Sequence, residues 1–271
     1  MAEQTTVNTS EAFDQWKSKA QVGELEFHVR EKARPNADMY LRDREIFEAF
    51  GFTAEQFQGE TVVDLGAGSH LRTKFFQGAK IAAIEPLGDQ YRANIEWCDL
   101  SDAEYYHSIP AEQRVETLGG MAAFANCMNV LDHAFEPERI LSNVNFYLRP
   151  GGIFLLSVDL HDGQADDLHP VDLDIPRLRQ LIYDAGFSID RAFLYLPRAK
   201  SYGHGFACSF VLRKSDAPTA PAKRIEFCKL RTSGQLVMEN VNRRVNSIGR
   251  RIHRILSGES RGLRKLLGRA A

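Results

Sequence analysis

The residues best suited to chemistry are two glycines, a glutamate and a set of histidines beside carboxylates. Gly66 and Gly68 follow the β-branched apolar run Thr61–Leu65, and Glu85 closes a second apolar run, Lys80–Ile84. A glycine lacks a Cβ, so its backbone turns sharply and comes close to a ligand. A carboxylate ending the second strand of an open α/β sheet can accept both hydroxyls of a ribose. Each has a plainer reading, since a glycine pair after a strand can be a tight turn and strand-end acids are commonly solvated. Together they point to a nucleoside cofactor.

Asp132-His133 follows a later apolar segment. An imidazole with a pKa of about 6.5 can take a proton from a hydroxyl near neutral pH, and a neighbouring carboxylate can orient it. The plainer alternative is a histidine that bonds the following helix. Asp159-Leu-His161 ends another apolar run, Ile153–Val158, and His169 opens the next element. From neighbouring strand ends these groups can converge on one crevice, although His169 has a rival reading as a hinge before Pro170.

The kind of cofactor is narrowed by what is missing. A dinucleotide site wants a third glycine near Leu71, and no Lys-Ser/Thr phosphate pair follows the turn. The remaining pattern, Asp64-x-Gly66-x-Gly68, resembles the class I S-adenosylmethionine-dependent methyltransferases. His70 stands at that family's third glycine, a departure expected to crowd the methionine end of the cofactor. Asn126-Cys-Met-Asn-Val-Leu-Asp-His133, then Glu136-Pro-Glu-Arg139 and Leu148-Arg-Pro-Gly-Gly152, look like the fourth strand, next helix and fifth strand of its small-molecule and sugar methyltransferases. His169-Pro170 and Leu178–Phe187 continue the match, which covers residues 58–213.

The resemblance implies an α/β, Rossmann-like fold with a mostly parallel seven-stranded sheet and an antiparallel last strand. It implies S-adenosyl-L-methionine as cofactor, held by Asp64, Gly66, Gly68, Glu85 and Met128. An acid near the adenine amine is expected after the third strand, where Asp102 matches best and Asp99 is its rival; Tyr91 is placed to pack near the adenine. His133, Asp132 and His169 are the catalytic candidates, for a hydroxyl on a sugar, polysaccharide or small metabolite. Some relatives hold a divalent cation with two glutamates and a histidine. The matching residues here are Asn129, Asp132 and His133, and the lost carboxylate argues against a metal.

These residues need a frame. The expected parts are a helical cap over 1–57, a cofactor domain over 58–214, a linker over 215–222 and a basic helical tail over 223–271. Helices are expected over Glu11–Val22 and Asn36–Phe50, broken at Pro35, with another after Gly68. In the cap, Trp16, Phe27, Tyr40 and Phe50 either line a lid or pack the helices onto the sheet. A third strand is expected at Asn94–Cys98, a helix at Ala111–Leu118 and a fourth strand at Met121–Asn126. Pro137 starts a helix with Ile140, Leu141, Val144 and Tyr147 on one face. Asp174 is an N-cap and Gly186 a helix end, before strands Ser188–Leu196 and Gly205–Arg213.

Composition sets the remaining bounds. A chain of 271 residues with 44% hydrophobic content can bury a full α/β core. No apolar run nears the ~20 residues that span a bilayer, and Met1–Ser10 has no apolar signal core. Cys98, Cys127, Cys208 and Cys228 show no metal or disulfide spacing, which suits reduced thiols. A cytoplasmic protein is therefore expected.

The net charge of −2 conceals an asymmetry, because residues 223–271 hold 13 Lys and Arg against 3 Glu. Val237, Val241, Val245, Ile248, Ile252 and Ile255 form a helical stripe with arginines beside and opposite it. Such a tail can lie on an anionic membrane, bind nucleic acid or fold back on the acidic domain or a second copy. Without interleaved aromatics, nucleic acid is the least supported. Two other functions stay open: a non-catalytic partner with this fold, and an RNA methyltransferase using the tail.

Overall fold

The structure, a computed structural model, describes residues 9–31, 37–160, 170–195, 206–215 and 227–228. His161, His169, the linker beyond residue 215 and the tail beyond residue 228 lie outside the described residues, as do the side chains of Trp16 and Tyr40. The eight strands are β1 (Thr61–Leu65), β2 (Lys80–Ile84), β3 (Tyr105–His107), β4 (Ala122–Met128), β5 (Leu148–Leu160), β6 (Phe187–Tyr195), β7 (Phe206–Lys214) and β8 (Phe227–Cys228). They form one sheet in the order β3-β2-β1-β4-β5-β7-β6-β8. β7 runs antiparallel to both β5 and β6, and the neighbouring pairs elsewhere are parallel. The expected Rossmann-like sheet is present, with β8 added where Phe227 and Cys228 pair with β6.

Alternate residues of the strands feed two cores, as a sheet covered on both faces requires. Val63, Leu65, Ala82, Ile84, Phe154 and Leu156 face α4 (Pro137–Tyr147) and α5 (Ile175–Asp184). Val62, Ala83, Phe124 and Leu155 face the other side. There α2 (Ala37–Ala49) contributes Phe47 to an aromatic cluster. Phe57, Phe76 and Phe124 pack with ring centroids 4.8–5.0 Å apart, and Phe50 lies 5.1 Å from Phe193 of β6. Phe50 thus packs the cap onto the sheet.

Several sequence expectations are corrected. The first helix does not stop at Val22: α1 runs from Thr9 through Glu31. No α-helix follows Gly68, where a 3-10 turn spans Arg72–Phe75. The Leu71 amide is taken by Asp99 and the Thr73 amide by Asp64, so side chains claim donors near the turn's start. Asn94–Cys98 is the end of α3 (Gly88–Asn94) and a turn, and the third strand is Tyr105–His107. Ala111–Leu118 is not an α-helix, and only Glu116–Leu118 at its end forms a 3-10 turn. The Ala111 and Glu112 carbonyls accept from Asn143, and the Val115 amide donates to Tyr147, so α4 holds the start of this segment as a loop. Asp174 does cap α5, accepting from the Arg177 amide at 2.7 Å, and Gly186 has φ +82°.

Candidate cofactor and methyl-transfer site

The strand order reverses between β1 and β4, and ligands of open α/β sheets bind at such a switch point. Gly66 and Gly68 leave β1 at φ +61° and +64°, the left-handed region that glycine tolerates. Neither has room for a side chain: a Cβ on Gly66 would lie 2.2 Å from Val130 Cγ2, and one on Gly68 would lie 2.8 Å from His28 Cε1. Val130 comes just after β4, so the ends of β1 and β4 touch at the turn.

Glu85 holds the turn from the side. Its Oε2 accepts the Gly68 amide at 2.9 Å and its Oε1 accepts the Leu87 amide at 3.0 Å. Behind the turn, Asp64 is buried and accepts from Asn126 Nδ2 and from the amide and hydroxyl of Thr73. Burial raises the Asp64 pKa even against these bonds. In the structure it braces the turn from below.

His70 does not crowd the turn from above. Its Nε2 meets Asp43 of α2 at 2.5 Å and its Nδ1 meets Asp99 at 3.1 Å, all three residues being buried. Burial alone would lower its pKa, but the two carboxylates outweigh it and push it up to about 9. Charged His70 therefore clasps the cap to the turn. Asp99 is engaged by His70 and the Leu71 amide, whereas Asp102 is exposed and paired with Lys74 at 2.6 Å. Asp102 precedes β3, while the Glu85 amide bonds His107 at that strand's exit. The expectation of Asp102 as an adenine acid after the third strand is corrected, because the strand lies later in the chain.

Tyr91 of α3 is fully buried, and its hydroxyl has no hydrogen-bond partner among the described residues. Burial, then the charges of Glu85 and Glu24, raise its pKa. A turn that excludes Cβ atoms, a carboxylate across it and an orphaned hydroxyl beside them suit a ribosyl cofactor. His28, which local sequence reading missed, lies over this group; its one sequence signal is Glu24 four residues earlier.

The reacting end lies beyond β4. Met128 is half-buried at the strand's end, against the aromatic core. Asn129 takes the left-handed conformation at φ +57°. It turns the chain into the 3-10 segment Leu131–His133. Asn129 Nδ2 lies 3.2 Å from His133 Nε2. Asp132 is buried, 3.6 Å from the same nitrogen, too far for the expected orienting hydrogen bond. Burial, with the charge of Asp159 from β5, pushes the Asp132 pKa up to about 8. Asp159 of β5 thus lies close enough for its charge to act on Asp132. Among the described residues no group of three or more His, Cys, Asp or Glu is placed to hold a metal.

The fold and turn define a class I, Rossmann-like methyltransferase, the class whose cofactor is S-adenosylmethionine. The "Methyltransferase domain" family matches residues 38–199, and the chain belongs to that family. Curated relatives include the ubiquinone biosynthesis O-methyltransferase of Psychrobacter cryohalolentis, 30% identical over 111 residues, covering 39% of this chain and 43% of the relative. The Pseudomonas paraeruginosa protein of the same name is 27% identical over 103 residues, covering 36% and 44%. The chain thus matches less than half the length of these relatives. Among solved structures, the Burkholderia thailandensis 1,6-didemethyltoxoflavin-N1-methyltransferase, bound to S-adenosylhomocysteine, aligns with TM-score 0.54 at 19% identity, covering 79% of this chain and 94% of its own. The [4+2]-cyclase SpnF aligns with TM-score 0.50 at 16% identity, covering 64% and 80%.

Proposed function

We propose that this protein is an O-methyltransferase acting on an acidic hydroxyl, with a phenol as the preferred acceptor. One observation carries the reading: Val130 rests on Gly66, so the Asp132-His133 turn begins beside the cofactor turn. When bound, the cofactor supplies an electrophilic methyl group on a sulfonium. The protein has to align that group with the acceptor oxygen and take the hydroxyl proton. Glu85, Gly66, Gly68 and Tyr91 hold the nucleoside side. His133, partly exposed beyond β4, takes the proton once Asn129 yields its ring nitrogen to the acceptor.

The acceptor class follows from proton chemistry and the relatives' printed name. A phenol, with a pKa of about 10 like tyrosine, yields its proton to an imidazole far more readily than an aliphatic hydroxyl does. Sugar or polysaccharide hydroxyls, expected from the sequence resemblance, are the alternative. The test is methyl transfer from labelled S-adenosylmethionine to a panel of catechols, phenols and sugars. Turnover of sugars alone would reject the phenol reading. No turnover, with cofactor bound, would favour a non-catalytic or different role, as the cyclase with this fold illustrates.

A further inference from the structure

Helix α1 lies over the cofactor turn. His28 is buried, with Nδ1 2.8 Å from Ser69 Oγ and Nε2 2.9 Å from Glu24 Oε1. Its ring is 4.5 Å from the Tyr91 ring, tilted by 34°. The imidazole therefore fills the ground above Gly68, between the turn and α3, on the same side as Glu85. That is where the nucleoside part of the cofactor has to lie if Glu85 is to reach a ribose.

We propose that α1 is a gate, which in its closed position puts the His28 ring in the cofactor's place and must move aside for the cofactor to bind. The inference rests on the cofactor and not on the acceptor. Two features make the closed position easy to leave. It buries the Tyr91 hydroxyl without a hydrogen bond among the described residues, which is costly for a polar group. Gly23 weakens the helix five residues before His28, and no side chain crowds it. Val22, Glu26, Val29 and Arg30 are exposed, while Leu25 and His28 face the body of the protein. The family match begins at residue 38, after α1.

If gate and cofactor compete, the apparent affinity is the intrinsic one reduced by the open fraction. Loss of one latch hydrogen bond should raise that fraction about five- to tenfold while the closed state dominates. Calorimetry with S-adenosylhomocysteine on the full chain should show His28→Ala binding tighter by about that factor. Ser69→Ala, which removes the body end of the bond that crosses from α1, should shift binding the same way and serves if His28→Ala does not fold. Hydrogen exchange of amides 20–30 should rise when S-adenosylhomocysteine is added. Unchanged or weaker binding by both variants overturns the gate alone, as does protection of α1 by the ligand, which would mark a lid that closes over it. Absence of binding by wild type and variants overturns the gate and the cofactor reading together.

Discussion

The carboxylate of Glu85 accepts the amide of Gly68 at 2.9 Å, so the acid ending β2 and the turn leaving β1 form one hydrogen-bonded unit. Its other oxygen holds the Leu87 amide at the start of α3. The residue expected to clasp a ribose thus also shapes the turn proposed to carry the cofactor.

Glu85→Ala should therefore raise the dissociation constant for S-adenosylhomocysteine at least about tenfold and lower the melting temperature, since two amides lose a charged acceptor. Glu85→Gln, which keeps one acceptor oxygen, should fall between. Calorimetry and thermal melts check both. A melting-temperature drop with unchanged affinity would restrict Glu85 to a structural role.

His70 makes stability depend on pH. Its folded pKa, about 9, lies above its ordinary 6.5. The contribution is fully present below about 6.5 and lost as pH rises through about 9, amounting to ~3 kcal/mol. Urea melts at pH 6, 8 and 9.5 should show this loss in the wild type and its absence in His70→Gln. A parallel pH dependence in the two proteins would refute it.

Asp132 has the same sign with a different meaning. Its folded pKa, about 8, lies above the ordinary carboxyl value, so its contribution is present at acid pH and lost as pH rises through about 8. Asp132→Asn should be more stable than wild type at pH 8 by at least ~1 kcal/mol, while methyl transfer falls. Gain of stability with loss of rate would mark a carboxyl retained for function. Equal loss of both would make it a packing residue.

His133→Ala should lower kcat about 100-fold or more, with little change in the affinity for S-adenosylhomocysteine. A variant with wild-type kcat would move the proton acceptor to another group.

Replacing Arg243, Arg244, Arg250 and Arg251 by alanine should abolish co-sedimentation with anionic vesicles if the tail meets a membrane. Equal binding to neutral vesicles would contradict that role. Among the described residues no helix is long and apolar enough to cross a bilayer.

Much of the frame was legible because it is written in short-range patterns. The β-branched run before Gly66, the apolar face after Pro137 and the Asp174 cap each appear as residues a few positions apart. The misread segments are those where a distant side chain takes the backbone's hydrogen bonds. Asn143 and Tyr147 take backbone groups of Ala111, Glu112 and Val115, so no α-helix forms there, and Asp64 and Asp99 claim amides after Gly68. No local periodicity announces such partners.

The sequence by itself determined the methyltransferase class, the glycine turn and the acid that meets it, because chain order and residue type suffice for those. Only tertiary structure decided that Asp64 braces the turn, that His70 is a charged clasp between Asp43 and Asp99, and that His28 covers Gly68. Those roles depend on atoms 9 to 41 residues apart in sequence meeting within hydrogen-bond distance. Burial then turns each meeting into a shifted charge or an excluded ligand, and neither burial nor proximity can be read one residue at a time.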